Sequence, residues 1–276
     1  MIRPGPRRQS GAALITALLV VAIATVTATT MALRDQQQIH RATLLQEQDR
    51  ARQLTRGAEA VARHLLEEQR DLTELPWEGC QSPPIPIEID GLTVTGRLDN
   101  LHCRFNINSL SRAEDPPLGA FATLVEEVLA DTEGSGTSGR RVAMAVHDWM
   151  NPETDDPVYR GLEPPRLSGN RPMRVASELL QVEGVDNELW QALAPQVAAL
   201  PSSDNRVDPE NAPEAVRRAV EADAAAPDTR DGESRGPRYF RLQLVVRTGG
   251  REYFHCAVID APNGQTVLRE RTPCEP

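Results

Sequence analysis

A chain of 276 residues with 39% hydrophobic residues and a formal net charge of -10 is long enough for one large domain or two small ones. Its 30 basic residues include no lysine, which excludes enzymes that use a lysine Schiff base and nucleotide-binding proteins that need a P-loop lysine. The acidic balance argues against a nucleic-acid partner.

The first predicted element is a helix that crosses a membrane. Ala12 to Leu33 contains 22 residues without a charge. As a helix this run extends about 33 Å, which matches a bilayer hydrocarbon core of roughly 30 Å. Arg3, Arg7 and Arg8 precede it without any acidic residue. The positive-inside rule therefore predicts a cytoplasmic N-terminus, with the rest of the chain on the other side.

Gly11 lies between the basic stretch and the apolar run. A Sec-type leader has its small-residue cleavage site after the apolar segment instead. The observed order resembles the leader of type IV pilins and type II secretion pseudopilins, in which a prepilin peptidase cuts after the glycine. The resemblance implies a cut between Gly11 and Ala12, and an uncleaved membrane anchor is the alternative.

Beyond the membrane run, good helix formers continue to Asp71 with no proline and only Gly57 as a weak position. Apolar residues recur there at three-and-four spacing, at Leu54, Ala58, Val61 and Leu65. This pattern predicts one long helix whose outer part is amphipathic, as in a pilin stalk. The proline-rich residues 76–86 cannot continue it.

Alternating residues from Ile87 to Leu98 predict two strands joined near Asp90-Gly91, and Cys103 to Leu110 follows as a strand that closes into a turn or helix cap. From Pro117 the period becomes helical. Helices with apolar faces are predicted at 118–129, 142–150, 175–180 and 186–200. The connections between them are a flexible glycine link at 134–139, an acidic loop at 151–170 and a hinge at Gly184.

The hinge resembles a helix-hairpin-helix unit, a motif that often holds DNA phosphates. Because Glu183, Asp186 and Glu188 surround its turn, we expect it to contribute packing only. Residues 221–236 form a low-complexity linker. Three strands then follow at 239–248, 252–260 and 265–271, with turns at Gly249-Gly250 and Asn263-Gly264, and predict an antiparallel meander.

All four cysteines follow the predicted membrane helix, where an oxidising compartment favours two disulfides over free thiols. Four cysteines allow three pairings. Sequence proximity favours Cys80 with Cys103 and Cys256 with Cys274. A zinc site is the rival interpretation, but no pair has CxxC or other metal-ligand spacing.

The order of these elements is similar to that of one family, the K-type minor pseudopilin of the type II secretion system. Four segments carry the resemblance: Gly11 to Thr16, Leu33 to Arg41, Arg104 to Leu110, and His147-Asp148-Trp149 with Ser177-Glu178-Leu179 and Leu200-Pro201. Two features depart from the family pattern. Arg104 separates Cys103 from Phe105, and residues 207–212 match the family's second Asn-rich strand only loosely.

The resemblance implies an α+β pseudopilin fold, with a long N-terminal membrane and stalk helix packed on an antiparallel sheet and an inserted all-helical domain. The predicted domains are a leader at 1–11, a transmembrane helix at 12–33, its periplasmic continuation at 34–71, a sheet domain formed by 72–111 and 206–276, and the insert at 112–205.

The implied function is non-enzymatic: a subunit at the tip of a periplasmic pseudopilus that supports export of folded proteins. The implied partners are the I-type and J-type minor pseudopilins, the prepilin peptidase, the bacterial inner membrane and possible secreted substrate proteins, but no nucleic acid. A minor pilin-like protein of a related pilus or DNA-uptake system is the alternative. An anchored envelope hydrolase is disfavoured, since GxSxG and HExxH are absent from the sequence.

Two sites carry further expectations. Counting from Ala12, the fifth mature residue is Thr16, where most pilins have a glutamate. Calcium is the one cofactor considered, because the resemblance implies calcium in the insert and Ca²⁺ prefers several oxygen ligands. The candidate ligands are Asp148, Asn151, Glu153, Asp155 and Asp156. The alternative is a solvated acidic loop that caps the next helix.

Overall fold

A computed structural model describes residues 10–68, 77–89, 92–130, 138–152, 157–161, 163, 165–223 and 237–275. The chain divides into two compact units, residues 1–53 and 54–276. In its described part the first unit is entirely helical. The second holds the end of the same helix, an antiparallel sheet and a helical block.

Helix α1 runs without a break over Ser10–Glu68, a length of 59 residues. This confirms the prediction that the apolar run and the stalk are one helix. Residues 69–76, which include the predicted end of the stalk, lie outside the described residues.

The face of α1 that packs on the sheet is not the apolar stripe that marks the helix as amphipathic. Val61 and Leu65 are exposed, whereas Thr55, Glu59 and Leu66 are buried. The face that packs on the sheet is instead organised around a buried carboxylate, which a hydrophobic periodicity does not detect.

Among the described residues, five strands form the main sheet in the spatial order β1-β2-β5-β6-β7, and every pairing is antiparallel. Two further strands, β3 and β4, form a separate parallel pair. The strands are β1 Ile85–Ile89, β2 Leu92–Asn100, β3 Phe105–Asn106, β4 Val197–Ala198, β5 Tyr239–Thr248, β6 Arg251–Asp260 and β7 Gln265–Glu270. The predicted strand pair and meander are confirmed, while the Asp90-Gly91 turn lies outside the described residues.

The turns of the meander have backbone angles that favour glycine. Gly249 and Gly250 join β5 to β6 with φ values of 56° and 73°, and Gly264 precedes β7 with a φ of 56°. Because side chains other than glycine rarely adopt this left-handed region, the predicted turns at these positions are confirmed.

The helical block lies between β2 and β5 in the chain. Its α-helices are α2 Leu118–Leu129, α3 Gly139–Met150, α4 Pro157–Arg160, α5 Asn187–Leu193 and α6 Glu214–Ala222, and short 3₁₀ helices cover Leu101–Cys103, Ile107–Ser111 and Ala176–Gln181. A single apolar cluster holds the block together, with Phe121, Leu124, Val146, Leu179 and Leu193 fully buried within it.

Three predictions in this region need correction. The helix predicted at 186–200 ends at Leu193, because Val197 pairs with Phe105 in the parallel β3–β4 ladder. The strand predicted within 103–110 contains only Phe105–Asn106, but it closes into a helix cap as predicted, since the Asn106 side chain accepts a hydrogen bond from the Asn108 backbone and starts a 3₁₀ turn. The helix predicted at 175–180 is likewise 3₁₀ rather than α.

Helix α6 was not predicted. Its buried residues, Val216 and Ala219, join the apolar cluster of the helical block. The chain therefore re-enters the main sheet only at Tyr239, and the loosely matching residues 207–212 form no strand. The glycine link is largely outside the described residues, but Gly139 begins α3, where a Cβ atom would collide with the carbonyl oxygen of Ala122.

Candidate assembly site and the framework that supports it

The N-terminal part of α1 is long and apolar enough to cross a membrane, judged by length and composition. Its threonines satisfy their own hydroxyl groups: Thr25 and Thr27 donate to the carbonyl oxygens of Val21 and Ile23 at 2.6 and 2.9 Å. Such internal pairing is what a hydrocarbon environment requires of polar groups. The segment is therefore suited to membrane anchoring.

Two predicted sites lie in this segment. Gly11 and Ala12 fall in the first turns of α1, but their side chains lie outside the described residues. Thr16 is helical and its side chain is exposed. The cleavage site and the role of Thr16 both stay predictions.

Glu59 is the centre of the contact between α1 and the sheet, and its residue is only 3% exposed. Its carboxylate accepts hydrogen bonds from Arg269 Nη2 at 2.7 Å and from His255 Nε2 at 2.9 Å, with Thr266 Oγ1 as a further donor at 2.5 Å. These three donors come from β6 and β7, so one carboxylate fixes the helix against two strands.

The electrostatics of this cluster follow from its donors. Burial by itself raises the pKa of Glu59, but the hydrogen bonds from Arg269, Thr266 and His255 outweigh burial and lower that pKa from 4.5 to about 2. The carboxylate is therefore ionised at any physiological pH. Glu59 is a structural anchor, and its cluster performs positioning rather than proton transfer.

Asn106 and Asn108 form a second anchor, at the point where the sheet passes into the helical block. Asn106 donates from Nδ2 to the carbonyl oxygens of Ser202 and Asp204, both at 2.7 Å, and accepts from the Leu200 N–H at 3.1 Å. Asn108 donates to the Leu200 carbonyl at 2.7 Å. These bonds tie the beginning of the block to residues 200–204, which precede α6.

Asn108 also forms hydrogen bonds with the middle of the block. It donates to the Met173 carbonyl at 2.8 Å and accepts from the Met173 N–H at 2.8 Å. The two asparagines thus have all their amide groups paired with backbone groups inside the protein. Asn106 and Asn108 therefore link separate parts of the helical block through buried hydrogen bonds. Both lie within Arg104 to Leu110, one of the four segments that carry the family resemblance.

Both disulfides have the pairing that sequence proximity favoured, Cys80 with Cys103 and Cys256 with Cys274. The intervening Arg104 does not disturb the first pair. Arg104 is buried and donates to the Ala194 carbonyl at 3.3 Å. Burial, together with the nearby Arg241 charge, lowers the pKa of Arg104 to about 10.

A buried ion pair lies beside Arg104. Arg241 on β5 donates to Asp99 Oδ2 on β2 at 2.6 and 2.9 Å, with both side chains less than a tenth exposed. The pair braces the two central strands on the side of the sheet that faces the helical block. A cavity of about 50 Å³ next to it is lined by Arg104, Arg241 and Glu275.

The calcium candidates are only partly described. Asp148 lies in the last turn of α3 and Asn151 caps its end, whereas Glu153, Asp155 and Asp156 lie outside the described residues. Within the described ranges no three His, Cys, Asp or Glu side chains are grouped as a metal site. Calcium binding therefore stays a prediction.

The hinge at Gly184 has the predicted position, with a φ of 83°. Beyond it, Asp186 caps α5 by accepting from the Leu189 N–H at 2.9 Å. The acidic turn residue thus has a structural role, and Leu179 and Leu189 on either side are buried.

Sequence reasoning missed the Glu59 cluster. A signal was present: Glu59 is the one charged residue in a helical stripe of small and apolar residues, Thr55, Ala62 and Leu66. A lone carboxylate in such a stripe indicates a buried partner on another element. The partners lie 196 to 210 residues away in the sequence, so identifying them requires the fold.

Known proteins similar to this chain share one description. Residues 103–202 match the family model described as "Type II secretion system (T2SS), protein K". The chain is 27% identical over 215 residues to the type II secretion system protein K of Pectobacterium carotovorum subsp. carotovorum. The match covers 70% of this chain and 64% of that protein. The chain thus spans just under two thirds of the length of this relative. It is 29% identical over 238 residues to that of Aeromonas hydrophila, over 76% of this chain and 70% of that protein.

A solved structure has the same fold. A chain of the GspK-GspI-GspJ complex from the enterotoxigenic Escherichia coli type 2 secretion system superposes with a TM-score of 0.66 and 18% sequence identity, covering 85% of this chain and all of that one. The α+β pseudopilin fold with its inserted helices is thereby confirmed. The resemblance to protein K of the type II secretion system, which four sequence segments indicated, is confirmed by the family model, by the curated relatives and by the fold.

Proposed function

We propose that this protein is a minor pseudopilin that caps the tip of a periplasmic pseudopilus and supports the export of folded proteins across the outer membrane. The observation that carries the proposal is the helical block, which is inserted between β2 and β5 and held together by buried hydrogen bonds of Asn106 and Asn108. A block of this size on a pilin-like sheet obstructs the stacking of a further subunit above it.

Thr16 supports the same position. In most pilins the fifth mature residue is a glutamate whose carboxylate neutralises the N-terminal amine of a neighbour within the membrane. A charged group in hydrocarbon is costly unless it is paired. A subunit with Thr16 offers its own amine to a partner's glutamate but has no carboxylate for another amine. Such a subunit joins a filament through one contact only, which suits its end.

The partners follow from this position. We propose contacts with the I-type and J-type minor pseudopilins, processing by the prepilin peptidase, and a single-pass anchor in the bacterial inner membrane with the bulk of the chain periplasmic. The protein has no catalytic role in this proposal. Exported substrates are further candidate contacts of the helical block.

Gold labelling of a tag on the helical block of overproduced pseudopili tests the tip position. Label at one end of each filament is expected, and regular label along the shaft contradicts the proposal. Thr16→Glu alone is expected to leave the label terminal, because the helical block still obstructs stacking.

A DNA-uptake role predicts DNA retention by the purified protein at low salt, which we do not expect from an acidic chain.

Processing has its own test. The intact mass of the membrane-extracted protein is expected to lack residues 1–11, so that it begins at Ala12. Retention of the full leader in a strain with active prepilin peptidase contradicts the pseudopilin assignment of this end.

Calcium binding by Asp148, Asn151, Glu153, Asp155 and Asp156 is a second proposal. Carboxylate and amide oxygens are suitable Ca²⁺ ligands. Chelator is expected to lower the melting temperature of the wild-type protein but not that of Asp155→Ala with Asp156→Ala. An equal response of both proteins rejects this ligand set.

A further inference from the structure

A cavity of about 50 Å³ lies where the main sheet meets the helical block, and we call it the junction cavity. Arg241, Val258 and Leu268 line it from strands β5, β6 and β7. Residues 174–176 and 197–199 of the helical block line it from the other side. Since roughly 15 Å³ of such volume is enough for one water molecule, the cavity has room for a ligand of several non-hydrogen atoms.

Two buried guanidinium groups lie on the wall of this cavity. Arg104 is 8% exposed and Arg241 is 7% exposed. Asp99, behind the wall, accepts two hydrogen bonds from Arg241, at 2.6 and 2.9 Å. Arg97 also approaches Asp99, with its Nε 3.5 Å from Oδ1. One buried carboxylate therefore already balances two arginines.

The charges around the cavity do not cancel. Counted over the cavity wall and the ion pairs behind it, the described residues supply four arginines and three carboxylates: Arg97, Arg104, Arg174 and Arg241 against Asp99, Glu270 and Glu275. The buried members of this set are Asp99, Arg104 and Arg241. The buried part thus has one positive charge in excess. Because an excess of buried charge is costly, the site favours an anion.

The excess charge is present at physiological pH. Burial, followed by the charge of Arg241, lowers the pKa of Arg104 to about 10. Arg104 is therefore still protonated near neutral pH, although its surroundings oppose the charge. An anion in the cavity relieves this opposition.

The shape and lining of the cavity indicate the kind of anion. A guanidinium group presents a planar fork of N–H donors that matches the two oxygens of a carboxylate. Much of the remaining wall is apolar, with Leu101, Val197, Val258 and Leu268. A small carboxylate with a short hydrocarbon end suits both parts. Sulfate and phosphate have oxygens on every side, so some of these would face the apolar wall.

The C-terminal segment closes one side of the cavity. Arg241 donates to the carbonyl oxygen of Glu275, and Glu275 Oε1 accepts from the Ser177 N–H at 3.3 Å. The disulfide between Cys256 and Cys274 holds this segment against β6. A carboxylate therefore reaches the cavity from one of two sources, a small molecule in solution or the chain itself beyond Glu275.

We infer that the junction cavity is a binding site for a small carboxylate, which Arg104 and Arg241 hold between the main sheet and the helical block. Arg104 is the residue by which this chain departs from the family segment, so the site belongs to this chain rather than to the family pattern. The inference does not depend on the tip position. Since the ligand contacts both the sheet and the block, its binding stabilises their contact.

Nuclear magnetic resonance with acetate labelled at its carboxyl carbon tests the site on the purified full chain in detergent. Acetate is expected to show saturable line broadening with half-saturation on the order of millimolar, because a ligand of four non-hydrogen atoms gains little binding energy. Arg104→Gln is expected to weaken binding at least about tenfold, since it removes a charged fork. The matched control, Arg251→Gln, changes an exposed arginine at the start of β6 and is expected to leave binding unchanged.

A second form of the chain, with Gly-Ser-Gly added after Pro276, distinguishes the two sources. Binding of acetate by the unextended chain identifies a ligand from solution. Binding by the extended chain alone shows that the chain's own carboxylate fills the cavity, and the extended chain then melts at a lower temperature without acetate. Either result supports the site if Arg104→Gln abolishes it. The absence of binding in both forms, or equal binding by Arg104→Gln, overturns the inference.

Two further measurements do not depend on replacing an arginine. Ala199→Leu adds bulk to the cavity wall without changing its charge, and is expected to prevent acetate binding. In the form of the chain that binds acetate, formate is expected to displace the labelled acetate, whereas sulfate at equal ionic strength is not. Displacement by sulfate but not by formate contradicts a carboxylate site, as does unchanged acetate affinity in Ala199→Leu.

Discussion

Glu59 joins α1 to β6 and β7 through a single carboxylate, so its neutralisation weakens three contacts together. Glu59→Gln keeps the shape of the side chain but removes the charge that Arg269 and His255 bind. We expect a loss of roughly 2 kcal/mol, because hydrogen bonds to a charged group are stronger than neutral ones and Arg269 can still reach water. Thermal unfolding measures the loss. Glu67→Gln, at an exposed position of the same helix, is expected to change stability by less than about 0.5 kcal/mol.

The same residue predicts a pH dependence. The pKa of Glu59 is about 2 in the folded protein against an ordinary value of 4.5. The unfolded chain therefore binds a proton that the folded chain does not between these values. Its contribution to stability is complete above pH 4.5 and is lost as the pH falls toward 2. The difference in melting temperature between the wild type and Glu59→Gln is expected to shrink over this range, and a constant difference contradicts the assignment.

At the scale of elements, helix α2 depends on a distant cap. Pro117 precedes it and supplies no side-chain cap, while Asp223, directly after α6, accepts from the Ala120 N–H at 2.8 Å. Helix N-termini favour such an acceptor and a negative charge. Asp223→Ala is expected to cost about 1 kcal/mol. Hydrogen exchange of the first amides of α2 should accelerate, while Asp223→Asn retains most of the protection.

At the scale of the whole molecule, the two disulfides close loops of similar size, with sequence separations of 23 and 18. Loop entropy therefore predicts that each contributes about 3 kcal/mol and that they differ by only about 0.2 kcal/mol. Replacing either pair by serine is expected to lower the melting temperature by a similar amount. A much larger effect for one pair would show that contacts around it, rather than loop closure, dominate.

Length, periodicity and turn chemistry determined much of this protein from the sequence. The uninterrupted helix from the apolar run into the stalk, the strand pair at β1 and β2, and the meander with turns at Gly249-Gly250 and Gly264 follow from local preferences. Each of these features depends on residues near one another in the chain. The cysteine pairing was also favoured by proximity, because both disulfides close short loops.

Only the tertiary structure decided the features that depend on distant residues. Residues 194–200 have a helical sequence pattern, but Val197 pairs with Phe105, and this pairing outweighs weak local propensity. The stalk exposes Val61 and Leu65 and buries Glu59, because Arg269 forms an ion pair with a carboxylate that periodicity assigns to solvent, and His255 and Thr266 complete its hydrogen bonds. The free energy of such a cluster exists only when β6 and β7 meet the helix, so no local pattern contains it.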